Sequence, residues 1–537
     1  MQGFALRLSF LIIFIFYFLA LRLAAGTTAA PRPYNATDLL LLNCGAASKI
    51  TSDEGRDWDT DNHYMQFMPT NTAAISFQAT AEQGPSVPRV PFTTARVFTS
   101  QLTYSFRVSP GHKFLRLYFY PAQYSAAGAG GGYNQADFLF SVTANHYVLL
   151  KNFSAFVTAS ASPSNDPTIK KEFIVDVDDK RQLNLTFSPS PNAYAFVNGI
   201  EIVSIPSDLY FRGDNYPIKL VEQASESYFS IDNSTTSLET LYRLNVGGNH
   251  LGPTDDSHDT GMFREWSDDK DYVVYRENQT PNLAVPVYYS NETPAYTAPN
   301  VVYTSARTMD DHNNNSNGLF WDFPVDAGFT YLFRFYFCEF EPEVNGTSQR
   351  VFSIEVNNST AEEQFDVIEQ SGGPEVPIMR DYVILVPDPD TRRSKQMVSL
   401  SLRPNMDGKP RYRNAILNGL EIFKLNDSTG NLAVPNPPQI PATQPGLMPE
   451  KKGRKGLRCG LPPPRTPERP SFPSLAKGDG KAANNLDEDD GGAFTTSEDP
   501  AKMFRTKSSV TATSTSDDSL RGQSHTIFSE LSNQLGR

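Results

Sequence analysis

The sequence predicts an all-β protein, with two tandem jelly-roll-like β-sandwich domains followed by a disordered tail. Three observations predict it. First, one ordered set of motifs occurs twice. Leu42-Asn43-Cys44-Gly45, Gly55-Arg56-Asp57-Trp58, Ala95-Arg96, Leu115-Arg116-Leu117-Tyr118-Phe119 and Phe196-Val197-Asn198-Gly199-Ile200-Glu201-Ile202 form the first set. Leu244-Asn245-Val246-Gly247, Phe263-Arg264-Glu265-Trp266, Ala306-Arg307, Phe333-Arg334-Phe335-Tyr336-Phe337 and Ile416-Leu417-Asn418-Gly419-Leu420-Glu421-Ile422 repeat it. The offset is about 200–220 positions, far beyond the roughly 20–50 residues of a solenoid unit, so whole domains are duplicated. Second, apolar residues alternate with period two and strong helical periodicity is scarce. Third, the composition changes from Gly430 onward to Pro, charge runs and Ser/Thr.

Taken in order, residues 1–26 read as a secretory signal peptide. Arg7 precedes the apolar run from Phe10 to Ala20, and Ala24, Ala25 and Gly26 supply small residues for cleavage. The run is short for a membrane span, with an uncleaved anchor as the alternative. Residues 35–204 form the first domain. Its strand candidates are Leu115–Tyr120, Phe138–Val142, Phe173–Val177, Leu183–Phe187 and Phe196–Ile202. Residues 205–240 connect the copies. Residues 241–428 form the second domain, with strands at Phe333–Cys338, Phe352–Val356, Tyr382–Val386, Val398–Leu402 and Ile416–Phe423. Asn198-Gly199 and Asn418-Gly419 lie between apolar runs and predict hairpin turns, since both residue types accept positive φ. Gly128-Ala129-Gly130-Gly131-Gly132 lacks the Lys-Ser/Thr of a phosphate loop and reads as a surface loop. Residues 429–537 read as a low-complexity tail that cannot bury enough apolar surface to fold. No stretch of about 20 apolar residues follows the second domain.

Composition narrows the function. A net charge of -13 disfavours nucleic acid and is compatible with a basic partner, although plain solubility is the simpler account. Asn-X-Ser/Thr acceptors occur at Asn35, Asn152, Asn184, Asn233, Asn278, Asn291, Asn314, Asn345, Asn357, Asn358 and Asn426, which fits an exported, glycan-coated region. Cys44, Cys338 and Cys459 are too few for a disulfide scaffold; Cys44 and Cys338 are either bridged between domains or buried as free thiols. They show no metal-ligand spacing, and no cofactor is implied.

Recognisable catalytic groups are scarce in the sequence. His63, His112, His146, His250, His258, His312 and His525 form no His-Glu-X-X-His, and no nucleophile elbow or kinase signature is present. Asp255, Asp256, Asp259, Asp268, Asp269 and Asp271 lack the Gly and distal Glu of a calcium loop and read as a solvated acidic loop. A glycosidase needs two carboxylates at a set separation, and nothing singles out a pair. Aromatic residues remain. If Phe119 and Phe337 point inward, Tyr118 and Tyr336 take the opposite face, where a tyrosine either stacks on a ligand or covers the sheet beneath a loop. Arg56-Asp57-Trp58 and Arg264-Glu265-Trp266 read as a buried Trp with a paired Arg.

These residues resemble a known family. Asn43-Cys44-Gly45, Gly55-Arg56-X-Trp58, Phe335-Tyr336-Phe337-Cys338-Glu339, Leu417-Asn418-Gly419-Leu420-Glu421-Ile422-Phe423-Lys424-Leu425 and Gly430-Asn431-Leu432-Ala433-X-Pro435 are similar to plant malectin-like receptor kinase ectodomains of the FERONIA and THESEUS type. The resemblance covers about residues 35–435. It implies two malectin-like domains at the plasma membrane or apoplast that sense the cell wall. It also implies binding of basic secreted peptides of the rapid-alkalinisation-factor type, with a glycolipid-anchored co-receptor. Cell-wall carbohydrate, pectin or glucan, is the alternative ligand, and a carbohydrate-active enzyme is the third reading. Animal malectin binds a glucose disaccharide through a Tyr-Phe strand motif, which Tyr118-Phe119 and Tyr336-Phe337 match. Relatives continue into a membrane helix and a Ser/Thr kinase, whose signatures this sequence lacks, so kinase activity is not carried over. Ser524–Leu531 resembles the end of such a kinase, and a truncated soluble form is the expectation.

Overall fold

The computed structural model describes residues 34–438, apart from 67–75, 83, 127–131, 163–165, 214–215, 222–226, 255–259, 277, 310–316 and 390–393. The expected signal peptide, Gly128–Gly131, Asp255, Asp256, Asp259, the acceptor Asn314 and the tail from 439 onward lie outside the described residues.

The expected all-β architecture is present: two tandem sandwiches, with helices only as short turns among the described residues. Their shared backbone is a 13-stranded sheet. In the first half, Leu115, Leu117 and Phe119 of the strand Lys113–Phe119 face a core with Leu183, Leu185 and Phe187 of the strand Gln182–Pro189. In the second half, Phe333, Phe335 and Phe337 of Phe329–Phe337 meet Trp321 and Phe323 of Leu319–Asp326 and Val398, Leu400 and Leu402 of Lys395–Pro404. Period-two side chains place these residues on one face of each sheet. At roughly 25 cal/mol per Å² of apolar surface removed from water, these cores dominate the stabilisation.

The two sheets join edge to edge. Leu238–Asn245, the first strand of the second half, pairs antiparallel with Ile169–Val175 through Phe173 opposite Glu239 and Ile174 opposite Leu238. A third apolar cluster closes the junction. Phe114, Ile174 and Val203 of the first half meet Leu332, Val383 and Phe423 of the second beneath Leu209, Tyr210 and Phe211 of the connection.

Several expectations change here. Asn198-Gly199 and Asn418-Gly419 are not hairpins, and none of the four residues has positive φ. Each pair marks the step where the chain leaves one sheet for another, Ala195–Val197 to Gly199–Ser204 and Ile416–Leu417 to Gly419–Leu425. The glycines are required by close approach. A Cβ on Gly199 would lie 2.6 Å from Pro91, and one on Gly419 2.6 Å from Val302. The asparagine amides serve as fasteners. Asn198 Nδ2 donates to the carbonyl of Thr94 and the hydroxyl of Tyr124, and Asn418 Nδ2 to the carbonyls of Tyr303 and Ser305.

Residues 429–438, assigned above to the tail, are ordered. Leu432 is buried in the first core, and its N–H donates to Val148 while Val148 donates to Gly430. The segment is a strap that returns from the second half to the first. Cys44 and Cys338 are both free and buried, which settles the alternative left open above.

Candidate ligand-binding site

Phe119, Tyr336 and Phe337 have no exposed surface, and Tyr118 is half-buried. The phenylalanines belong to the cores, Phe119 against Phe140, Phe153 and Phe196, and Phe337 against Phe352 and Phe365. The tyrosines do take the opposite face, but that face is covered. The Tyr118 ring meets Trp58 edge-on at 5.5 Å and Phe92 at 5.9 Å; the Tyr336 ring meets Trp266 at 5.4 Å and Tyr303 at 6.0 Å. Thus each Arg-X-Trp motif, with the turn Arg89–Phe92 or Asn300–Thr304, caps its tyrosine. The hydroxyls donate inward, Tyr118 to Glu201 at 2.6 Å and Tyr336 to Glu421 at 2.5 Å. Burial and the adjacent carboxylates push both phenols well above their ordinary range, so both stay protonated donors.

Beneath these caps lies a feature that the sequence analysis did not assemble. Asp381, Arg334, Glu421, Arg243, Glu172, Arg116 and Glu201 stand on seven successive strands of the long sheet, alternating in sign. Arg334 is bidentate to Asp381 at 2.8 and 2.7 Å. Arg243 reaches Glu421 at 2.5 Å and Glu172 at 2.8 Å. Arg116 reaches Glu172 and Glu201, each at 2.6 Å. Burial raises the Glu172 carboxyl, but Arg243 and Arg116 pull it further down, leaving it well below the usual range. Burial likewise works against charge on Arg243, and Glu172 and Glu421 more than restore it. Glu172 and Glu201 are thus held as carboxylates, and Arg116, Arg243 and Arg334 as cations, within a buried ladder. Its cover is the connection together with the segment at Met262 of the second half: Arg334 hydrogen-bonds the Leu209 carbonyl, Tyr210 donates to Glu421, and Arg116 donates to the Met262 carbonyl.

A second ionic device occurs once per half. Asp61 accepts from Arg96 at 2.9 and 2.7 Å, from Tyr104 at 2.7 Å and from the Gly45 N–H. Asp269 accepts from Arg307 twice at 2.7 Å, from Trp321 at 2.8 Å and from the Gly247 N–H. Asp269 is thus fully buried and not part of a solvated loop. Both glycines have positive φ, and an added Cβ would collide with Ala95 O at 2.1 Å or Ala306 O at 2.0 Å.

These groups are structural in geometry: each buried acid already has its base. His112 stacks on Phe211 at 3.8 Å, and burial lowers its ring to about 4, so it is neutral. Glu339 is pushed up to about 7 because burial outweighs Arg350, with Glu341 adding repulsion. No cluster of three or more metal-ligand side chains occurs among the described residues. No described helix is long and apolar enough to cross a membrane.

Open surface is found elsewhere. A cleft of about 280 Å³ opens between the connection and the loop 291–297, lined by Asp208, Leu209, Arg212, Tyr216, Glu292 and Tyr296 among others. Its floor is tied to the ladder region, since Arg264 holds the carbonyls of Tyr296 and Thr297. Asp208 and Glu292 are exposed, and Tyr216 is 42% exposed. A larger groove of about 950 Å³ runs between the strap and the strands Phe140–Ala144 and Tyr147–Phe153. The glycan acceptors divide sharply. Asn35, Asn152, Asn291, Asn345 and Asn358 are exposed. Asn426 Nδ2 already donates to Thr235 and Asp427, Asn278 Nδ2 is enclosed, Asn184 Oδ1 accepts from Ser105 and Gln182, and Asn233 and Asn357 are half-buried.

The signal for the ladder was present: each half carries one Arg inside an apolar strand and one Glu inside another, in Leu-Arg-Leu-Tyr-Phe and Gly-Ile-Glu-Ile and their copies. Nothing local distinguishes a wet polar face from one covered by a distant connection.

Comparison with known proteins agrees with this geometry. A family model described as the malectin-like domain matches residues 42–425. The receptor-like protein kinase FERONIA of Arabidopsis thaliana is 43% identical over 449 residues, 82% of this chain and 48% of that protein. ANXUR2 of Arabidopsis thaliana is 34% identical over 432 residues, 77% of this chain and 46% of that one. The chain therefore spans about half the length of these relatives. Among solved structures, the ANXUR2 extracellular domain superposes with a TM-score of 0.66 at 33% identity, covering 75% of this chain and 100% of that one. FER in a complex of the plant peptide RALF23 with FER and LLG2 gives a TM-score of 0.64 at 42% identity, covering 75% and 99%.

Proposed function

Because the chain belongs to the malectin-like family of plant receptor-kinase ectodomains, we propose that it is an extracellular module that perceives secreted signalling peptides at the cell wall. Its ligand class is the basic peptide of the rapid-alkalinisation-factor type, bound together with a glycolipid-anchored co-receptor. The observation that carries this reading is the 42% identity, across 99% of the solved FER chain, to an ectodomain captured with such a peptide and with LLG2. The net charge of -13 supports it, since an acidic surface steers and holds a basic partner. The module performs no turnover in this reading, because the acids of the ladder and of the two clamps are each already paired with arginine.

Peptide contact is assigned to open surface, with the cleft at Asp208, Glu292 and Tyr216 offering carboxylates and an aromatic ring. Tyr118, Phe119, Tyr336 and Phe337 act from within, holding the cap and core of each sandwich. The carbohydrate reading loses the aromatic platform on which it rested, since those rings meet the chain's own tryptophans. Glycans are assigned to the exposed acceptors Asn35, Asn152, Asn291, Asn345 and Asn358.

Calorimetric titration of the full chain with a synthetic peptide of this type, at two salt concentrations, tests the reading. Saturable binding that weakens with salt is expected. Absence of binding in the presence of the co-receptor, or binding indifferent to salt, overturns it. Equal binding by an Asp208→Asn/Glu292→Gln double variant would move the contact away from the cleft.

A further inference from the structure

We propose that the groove between the strap and the first sandwich is the seat of the chain's own glycan, carried on Asn152, and that this glycan clamps the strap in place. Asn152 lines the groove at its rim. Its side-chain oxygen accepts from the Ser190 hydroxyl, which fixes the amide, while its side chain stays exposed. It is an acceptor by sequence, Asn152-Phe153-Ser154.

The groove suits a sugar. Ser141 and Thr143 present hydroxyl groups, and Val148, Val434 and Pro435 present apolar ledges. A pyranose offers both hydroxyls and an apolar C–H face, so mixed walls match it better than a purely apolar peptide. At about 950 Å³ the groove lies at the upper end of small-ligand pockets, which fits an oligosaccharide better than a single ring. The tether makes the occupant intramolecular, so no external affinity is needed.

The strap is tied to the first sandwich by the buried Leu432 and by a short backbone ladder. Val148 N–H donates to Gly430 and Leu432 N–H to Val148, each at 2.9 Å. Asn436 bridges the neighbouring edge, its Nδ2 donating to the Asn152 carbonyl and its Oδ1 accepting from Ser154 N–H. The Asn152 backbone thus touches the strap directly while its side chain opens on the groove. Asn152 Nδ2, the attachment atom, thus belongs to a residue that lines the groove together with strap residues Asn431, Val434 and Asn436.

Hydrogen exchange on the full chain, secreted from a eukaryotic host, tests the proposal. Glycopeptide mass spectrometry should find Asn152 occupied. Trimming the native protein with a glycosidase, or the Asn152→Gln variant, should speed exchange at Val148 and Leu432 by roughly fivefold or more. Asn345→Gln, which removes an acceptor in the second half, should leave both amides unchanged. If Asn152→Gln is not secreted, the trimmed native protein decides. An unmodified Asn152, or exchange unaffected by trimming, overturns the proposal. Peptide binding plays no part in this test.

Discussion

The two halves place the same acid on the same strand and neutralise it from different directions. In the first half, Glu201 pairs with Arg116 and Arg56, both from its own sandwich. In the second, Arg264, the counterpart of Arg56, turns away to the carbonyls of Tyr296 and Thr297. Glu421 is served instead by Tyr210 of the connection and by Arg243. The position matching Arg243 in the first half is Leu41: Leu41 lies opposite Glu201 as Arg243 lies opposite Glu421. Leu41 packs on Trp58 and Val90, whereas Arg243 crosses the junction to Glu172. One position in a duplicated fold thus separates an apolar cap from an interdomain tie. The two halves are thereby tied across their junction and are not two beads on a string.

That contrast can be broken by experiment. Arg243→Leu, which imports the first half's residue, leaves Glu172 and Glu421 buried with one fewer cation. It should cost about 3–5 kcal/mol in chemical denaturation. A change below 1 kcal/mol would mean that the tie is ornamental. Asp61→Asn and Asp269→Asn each leave an arginine without its carboxylate. Both should cost about 3 kcal/mol, and unequal losses would show that the copied clamps are not equivalent. Arg56→Ala should cost less, about 1–3 kcal/mol, because Glu201 keeps Arg116.

Acid should act more gently and in two directions. Glu172, Glu201 and Glu239 are lowered from the ordinary 4.5. The stability they contribute is complete above about 4.5 and drains away as pH falls toward their folded values. Glu339, raised to about 7, contributes fully below 4.5 and loses that contribution as pH rises through 7. Unfolding midpoints should therefore drop at the acid end, with a smaller decline near neutrality that Glu339→Gln removes. A midpoint unchanged across this range would contradict both assignments.

Much of the fold was legible because it rests on period two. Leu115, Leu117 and Phe119 alternate, and so do Phe333, Phe335 and Phe337; all six are core. The repeat was legible because duplicated packing demands duplicated residues: Gly45 and Gly247 must each pass a carbonyl with no room for a side chain. The buried Arg-X-Trp pairs were read correctly for the same reason. The site was less legible. Tyr118 and Tyr336 take the face that alternation assigns, but coverage of that face depends on Trp58, Trp266 and two turns distant in sequence. Asn-Gly misled because close approach selects glycine as firmly as positive φ does. The strap was missed because only two buried residues, Leu432 and Ala433, anchor a stretch whose composition is that of a linker.

The most direct test is a double-mutant cycle between Arg243 and Glu172, on opposite sides of the junction, read by chemical denaturation of the full chain. Arg243→Leu, Glu172→Gln and the double variant should reveal a coupling of about 1–3 kcal/mol. Additive losses, with no coupling, would contradict a junction held by that ladder.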